Sequence, residues 1–119
     1  MTSSASKKAM KRNAYFWLSY DLGINGDYES IYYWLDYHKA RECGDSIAFI
    51  SEYEYKDDFV KFLKNDLSES ISIDKRTRIY VIFKNEKNNM KGKFVFGNRK
   101  RSPWAGSALS EEQAADEIE

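Results

Sequence analysis

The run Tyr15–Leu22, YFWLSYDL, limits what this chain can fold into more than any other stretch. It is dense in aromatics, which favour a pleated and largely buried strand. Apolar residues occupy both parities as far as Leu18, so both faces of the strand are expected to be covered, as at the centre of a sheet. The run ends on Asp21 and passes at once into the loop Gly23–Gly26. An acid in that position has two readings. It can hydrogen-bond its own loop, as Asp commonly does at a strand end, or it can present a carboxylate to a site.

The remaining elements follow from periodicity and punctuation. Asp27 is a good helix N-cap and Glu29 lies in the first turn, where the helix dipole favours an acid. Tyr28, Ile31, Leu35 and His38 recur on one helical face, with Trp34 beside them. Ala40–Cys43 reads as a brief edge strand, Gly44-Asp45 as a tight turn, and SIAFIS (46–51) as a buried strand from which Glu52–Lys56 leads out. Asp57-Asp58 opens a second helix carrying Phe59, Phe62, Leu63 and Leu67, and Ile71 and Ile73 are expected to plug the end of the sheet. TRIYVIFK (77–84) is the plainest strand, followed by a turn-rich loop over 85–92 and a hairpin partner, KFVFG (93–97). Pro103 stops further pairing, and Trp104 is expected to pack back on the domain.

This order, β-α-β-β-α-β with an extra C-terminal hairpin strand, predicts an α+β, ferredoxin-like sandwich. Its 119 residues make one domain over 14–106, preceded by a flexible basic arm, 1–13, and followed by an acidic tail, 107–119, in which 110–118 has the makings of a short helix. Two helices cover one sheet face, and a second copy related by a two-fold axis would cover the other.

A formal net charge of zero hides segregation. Residues 1–12 carry four cations and no acid, whereas Asp21–Glu69 holds twelve acids against five bases. Lys84–Arg101 holds seven bases against Glu86 alone, so a polyanion-binding face is one reading and a solvated loop is the other. Lys91, Lys93, Arg99, Lys100 and Arg101 are the candidate phosphate contacts, and Trp104, Phe94 or Phe96 are the candidates for stacking on unpaired bases, unless these aromatics are core. The acidic tail would compete for that loop. No apolar run reaches the roughly 18–20 residues of a membrane span, and no secretory signal is expected. A lone cysteine, Cys43, fits a cytoplasmic protein without disulfides. With His38 the only histidine, a two-histidine metal site within one chain is excluded, and neither a glycine-rich phosphate loop nor zinc spacing occurs.

The segments SYDL, DYxxIYxWL and ECGDSIAFI resemble the small ferredoxin-like proteins related to CRISPR-associated protein Cas-two and to virulence-associated protein D. TRIYVIF and SPWAG are similar to the last strand and the tryptophan-glycine ending of some members. The segment 85–101 is longer and more basic than that pattern. The resemblance implies a homodimer whose first-strand aspartates approach the two-fold axis. In members described as nucleases, the pair is thought to hold a divalent metal for phosphodiester cleavage. Carried over, this makes Asp21 the catalytic and metal-binding residue, with Mg²⁺ as the cofactor and RNA or DNA as the substrate. Other members are non-catalytic scaffolds. The alternative expectation is a non-enzymatic protein-interaction module serving defence, toxin–antitoxin or phage regulation, in which the many tyrosines form the interface.

Overall fold

A computed structural model describes residues 11–108. Five strands form one fully antiparallel sheet in the order β2-β3-β1-β4-β5, with β1 Lys11–Asp21, β2 Arg41–Glu42, β3 Ile47–Lys56, β4 Arg78–Lys84 and β5 Met90–Phe96. Two helices, α1 (Tyr28–Tyr37) and α2 (Phe59–Ser70), follow β1 and β3. The chain is thus α+β, and its element order and sheet order are compatible with a ferredoxin-like sandwich. Among the described residues no helix is long and apolar enough to cross a membrane.

YFWLSYDL does take the centre of the sheet, between β3 and β4. Its two parities have different fates. Phe16, Leu18 and Tyr20 are buried with Ile50, Tyr53, Ile79, Val81, Ile31, Leu63 and Leu67 in a single core. Phe59 of α2 wedges between Phe16 and Phe83, with ring centroids 5.0 and 4.9 Å away. Tyr15 and Trp17 point the other way and keep solvent contact. The expectation that both faces would be covered therefore fails within one chain, because both helices pack on the same side.

Both helices start at the expected aspartates. Asp27 accepts a hydrogen bond from Ser30 N at 3.2 Å, and its other oxygen takes Ser72 N at 2.9 Å, tying the start of α1 to the segment after α2. These bonds hold its carboxyl below the usual range, the Ser72 N–H foremost. Asp58 caps α2 through Lys61 N at 3.0 Å. Ile71 is buried and Ile73 packs against the core, as expected. Gly26 is required by closeness rather than by φ: a Cβ there would lie 2.3 Å from Leu22 Cβ.

Several boundaries differ from expectation. β1 begins at Lys11, so residues 11–13 pair with β3 instead of belonging to an arm. β3 runs on to Lys56, because a bulge at Ser51–Glu52 inserts one residue and restores Tyr53 and Tyr55 to the buried side. β5 starts at Met90, so the turn-rich loop shortens to 85–89. Trp104 does not pack back on the domain; it is 71% exposed, within a run of turns. The short helix expected over 110–118 lies outside the described residues.

Candidate functional site

Alternation places Tyr15, Trp17, Ser19 and Asp21 of β1 on the sheet face away from the helices, and pairing sets their neighbours. Trp17 stands between Phe49 of β3 and Ile82 of β4, and Ser19 between Ile47 and Tyr80. On β5, Phe94 pairs with Tyr80, and Gly92 with Ile82. The result is two aromatic groups on one open surface. Tyr15, Trp17 and Phe49 form the first, with Trp17 and Phe49 centroids 4.8 Å apart and Tyr15 6.3 and 6.2 Å from them. Tyr80 and Phe94 form the second at 4.8 Å. Gly92 makes the second group possible, since a Cβ on it would fall 2.0 Å from the Tyr80 hydroxyl oxygen.

Cations flank both groups. The Arg99 guanidinium carbon lies 5.5 Å from the Phe94 centroid and 5.9 Å from that of Tyr80. Arg78 approaches Phe94 at 5.5 Å, and its Nε donates to the Asn98 carbonyl at 3.2 Å, fixing the loop that carries Arg99. Arg41 shares the face as the cross-strand partner of Phe49, and Lys84 shares it with Met90. The acids here are Asp21, with Arg78 Nη1 4.0 Å from its Oδ2, and Glu54 at the far end, 3.9 Å from Lys11 Nζ. The surface is therefore flat, aromatic and net cationic.

Asp21 ends β1 on this face with its side chain 59% exposed. Its Oδ1 accepts from Gly23 N at 3.1 Å, the loop-closing bond of the structural reading. Among the described residues no group of three His, Cys, Asp or Glu side chains is gathered to hold a metal ion. Asp21 thus supplies one carboxylate, faced by a cation.

The proposed basic cluster is divided. Lys91 and Lys93 pair with Phe83 and Val81, which point to the helix side, and Lys93 lines a depression there with Phe59 and Val60. Arg99 lies on the open face. Lys100, Arg101 and Trp104 are exposed beyond β5. Lys91, Lys93 and Arg99 therefore do not form one patch. A sequence read residue by residue spaces the cations along the chain, but the pleat of β5 decides which face receives each one.

Sequence reasoning did not single out Trp17, Phe49, Tyr80 or Arg78. One signal was present: the Tyr15 parity also carries Ser19 and Asp21, whereas its alternate holds Phe16, Leu18 and Tyr20. Register, which brings Phe49 beside Trp17, was not legible.

His38 caps the end of α1 and is half-buried against Trp34 and Tyr53, with centroids 4.4 and 5.3 Å away. Burial lowers its pKa, against the opposing pull of Asp66. Its setting is that of a packed ring.

No protein-family model matches the chain, and no curated protein or solved structure matches it.

Proposed function

We propose that the chain is a ferredoxin-like sandwich that binds single-stranded nucleic acid across its open sheet face. The observation that carries this reading is the partly exposed Trp17–Phe49 pair at the sheet centre, which no other element among the described residues covers and beside which Arg41 pairs with Phe49. Unpaired bases present π faces to such rings, whereas a duplex keeps its bases stacked away from them. Arg41, Arg78, Lys84 and Arg99 are placed to meet phosphates around the rings. Charge also argues against a second copy as the occupant. A two-fold face-to-face dimer would bring this cationic surface against itself, and like charges facing each other in an interface are costly.

The resemblance to Cas-two-like proteins supports association with nucleic acid, and the lone Cys43 fits a reducing, cytoplasmic setting. Metal-dependent cleavage at Asp21 rests on that resemblance alone. Mg²⁺ is held by one or two carboxylates with waters completing its octahedron, and Asp21 of a second copy would supply the second carboxylate.

The test is fluorescence anisotropy with labelled single-stranded RNA, single-stranded DNA and duplex DNA at several salt concentrations, with and without Mg²⁺. Single strands are expected to bind more tightly than duplex. Trp17→Ala and Phe49→Ala are each expected to cost about 1–3 kcal/mol of affinity with the far-ultraviolet circular dichroism unchanged. Arg99→Ala is expected to reduce the log–log salt slope by about 0.7. Wild-type affinity in both aromatic variants would remove the open face from the proposal, and no binding to any nucleic acid would favour a protein-interaction module.

A further inference from the structure

The helix side of the sandwich carries a site of opposite character. Tyr33 and Tyr37 stand one turn apart on α1 and are 75% and 72% exposed, so core packing does not account for them. With Trp34, His38, Asp66 and Ser70 they line a depression of about 340 Å³. Its acid is held by neutral groups: Asp66 Oδ2 accepts from the Tyr53 hydroxyl at 2.7 Å and from Trp34 Nε1 at 3.2 Å, and Oδ1 accepts from Ser70 Oγ at 3.3 Å. Among the described residues no Lys or Arg pairs with Asp66. Among those residues its one potentially cationic neighbour is His38, whose Nε2 is 4.0 Å away and whose burial favours the neutral ring.

An uncompensated carboxylate at the end of a pocket walled by aromatic rings is complementary to an organic cation, which gains from both the ring quadrupoles and the carboxylate charge. The acidic character does not end there. A second depression, of about 700 Å³, shares His38 and Asp66 and continues to Glu52 and Glu69. Two adjoining depressions of this sort exceed what one small cation needs and suit a chain with several cationic side chains. The same acids repel nucleic acid, so the two faces would not compete for one ligand.

We propose that this groove docks a basic polypeptide segment, one arginine or lysine of which enters between Tyr33, Tyr37 and Asp66 while its neighbours face Glu52 and Glu69. This does not depend on nucleic-acid binding at the open face.

The test is a nitrogen-15 NMR titration of the full chain with three probes: a glycine-serine peptide carrying several arginines, its neutral citrulline counterpart, and N-acetyl-arginine amide. The arginine peptide is expected to shift the Trp34 indole N–H and the His38 ring signals saturably, and the citrulline peptide to leave them in place. Tyr33→Ala and Tyr37→Ala, at exposed positions that leave the fold intact, are each expected to weaken binding roughly twofold to thirtyfold, and Asp66→Asn to weaken it at least as much. Equal shifts with the citrulline peptide, no saturable shift in the parent protein, or unchanged affinity in both tyrosine variants would overturn the proposal. Binding of N-acetyl-arginine amide as tight as that of the peptide would overturn the polypeptide as occupant.

Discussion

Gly92 shows how much one residue on the open face decides. Its missing side chain lets the Tyr80 ring lie across β5 beside Phe94. Gly92→Val would supply a better strand former on intrinsic grounds, yet its Cβ would occupy the Tyr80 hydroxyl position. Tyr80 must then swing away from Phe94 and Arg99. Single-strand affinity is expected to fall by about 1–3 kcal/mol, the worth of one stacking position, with the fold retained; undiminished affinity would show that Tyr80 and Phe94 take no part. His38 sets a pH dependence at the same scale. Asp66 of α2, Tyr53 of β3, and Trp34 and Tyr37 of α1 surround it. Burial puts its folded pKa below the ordinary 6.5, so below that value the unfolded chain binds the proton more readily. The His38 contribution is therefore fully present above pH 6.5 and is lost as the pH falls through the folded value. Denaturant unfolding of the parent and of His38→Gln across mildly acidic pH is expected to show a shallower fall in the variant; parallel curves would mean that His38 titrates alike in both states.

At the scale of elements, each helix begins at an aspartate whose side chain binds a backbone N–H that the helix itself leaves unpaired. Asp58 does this for α2 alone, through Lys61 N. Asp58→Ala is expected to lower stability by about 1 kcal/mol, measured by urea unfolding with an unchanged m-value, whereas Asp58→Ser should recover most of the loss. These caps, the apolar stripe of α1 and the strand over 78–84 were legible because they depend on a few adjacent residues. The continuation of β3 was not. Glu52–Lys56 alternates charge and tyrosine in a way that suits an exit from the sheet, and only the bulge against β1 returns Tyr53 and Tyr55 to the core. Trp104 misled for a related reason. A large indole is usually buried in part, but the turns after Pro103 hold it away from the domain.

At the scale of the whole molecule, a chain of zero net charge carries a cationic open face and, on its helix side, an acidic groove around Asp66. The catalytic proposal for Asp21 belongs to this scale, because one chain brings a single carboxylate and, beside it, Arg78. If two copies form a metal site, sedimentation should show a dimer, and Mg²⁺-dependent cleavage should disappear in Asp21→Ala while single-strand binding persists. Equal cleavage by that variant would sink the catalytic role. The sequence by itself determined the identity and order of the helices and the main strands, the caps and the α+β class, since each rests on local periodicity and local hydrogen bonding. It also marked Asp21 as the end of the central strand and allowed the loop-bonding role that the Gly23 contact displays. Tertiary structure alone decided which side of β1 is covered, because apolar residues on both parities do not say where two helices will pack. It likewise divided Lys91 and Lys93 from Arg99, set Trp17 against Phe49, and joined Trp34, Tyr53 and His38 around Asp66. Those associations depend on strand register and helix docking, where residues far apart in the chain become neighbours.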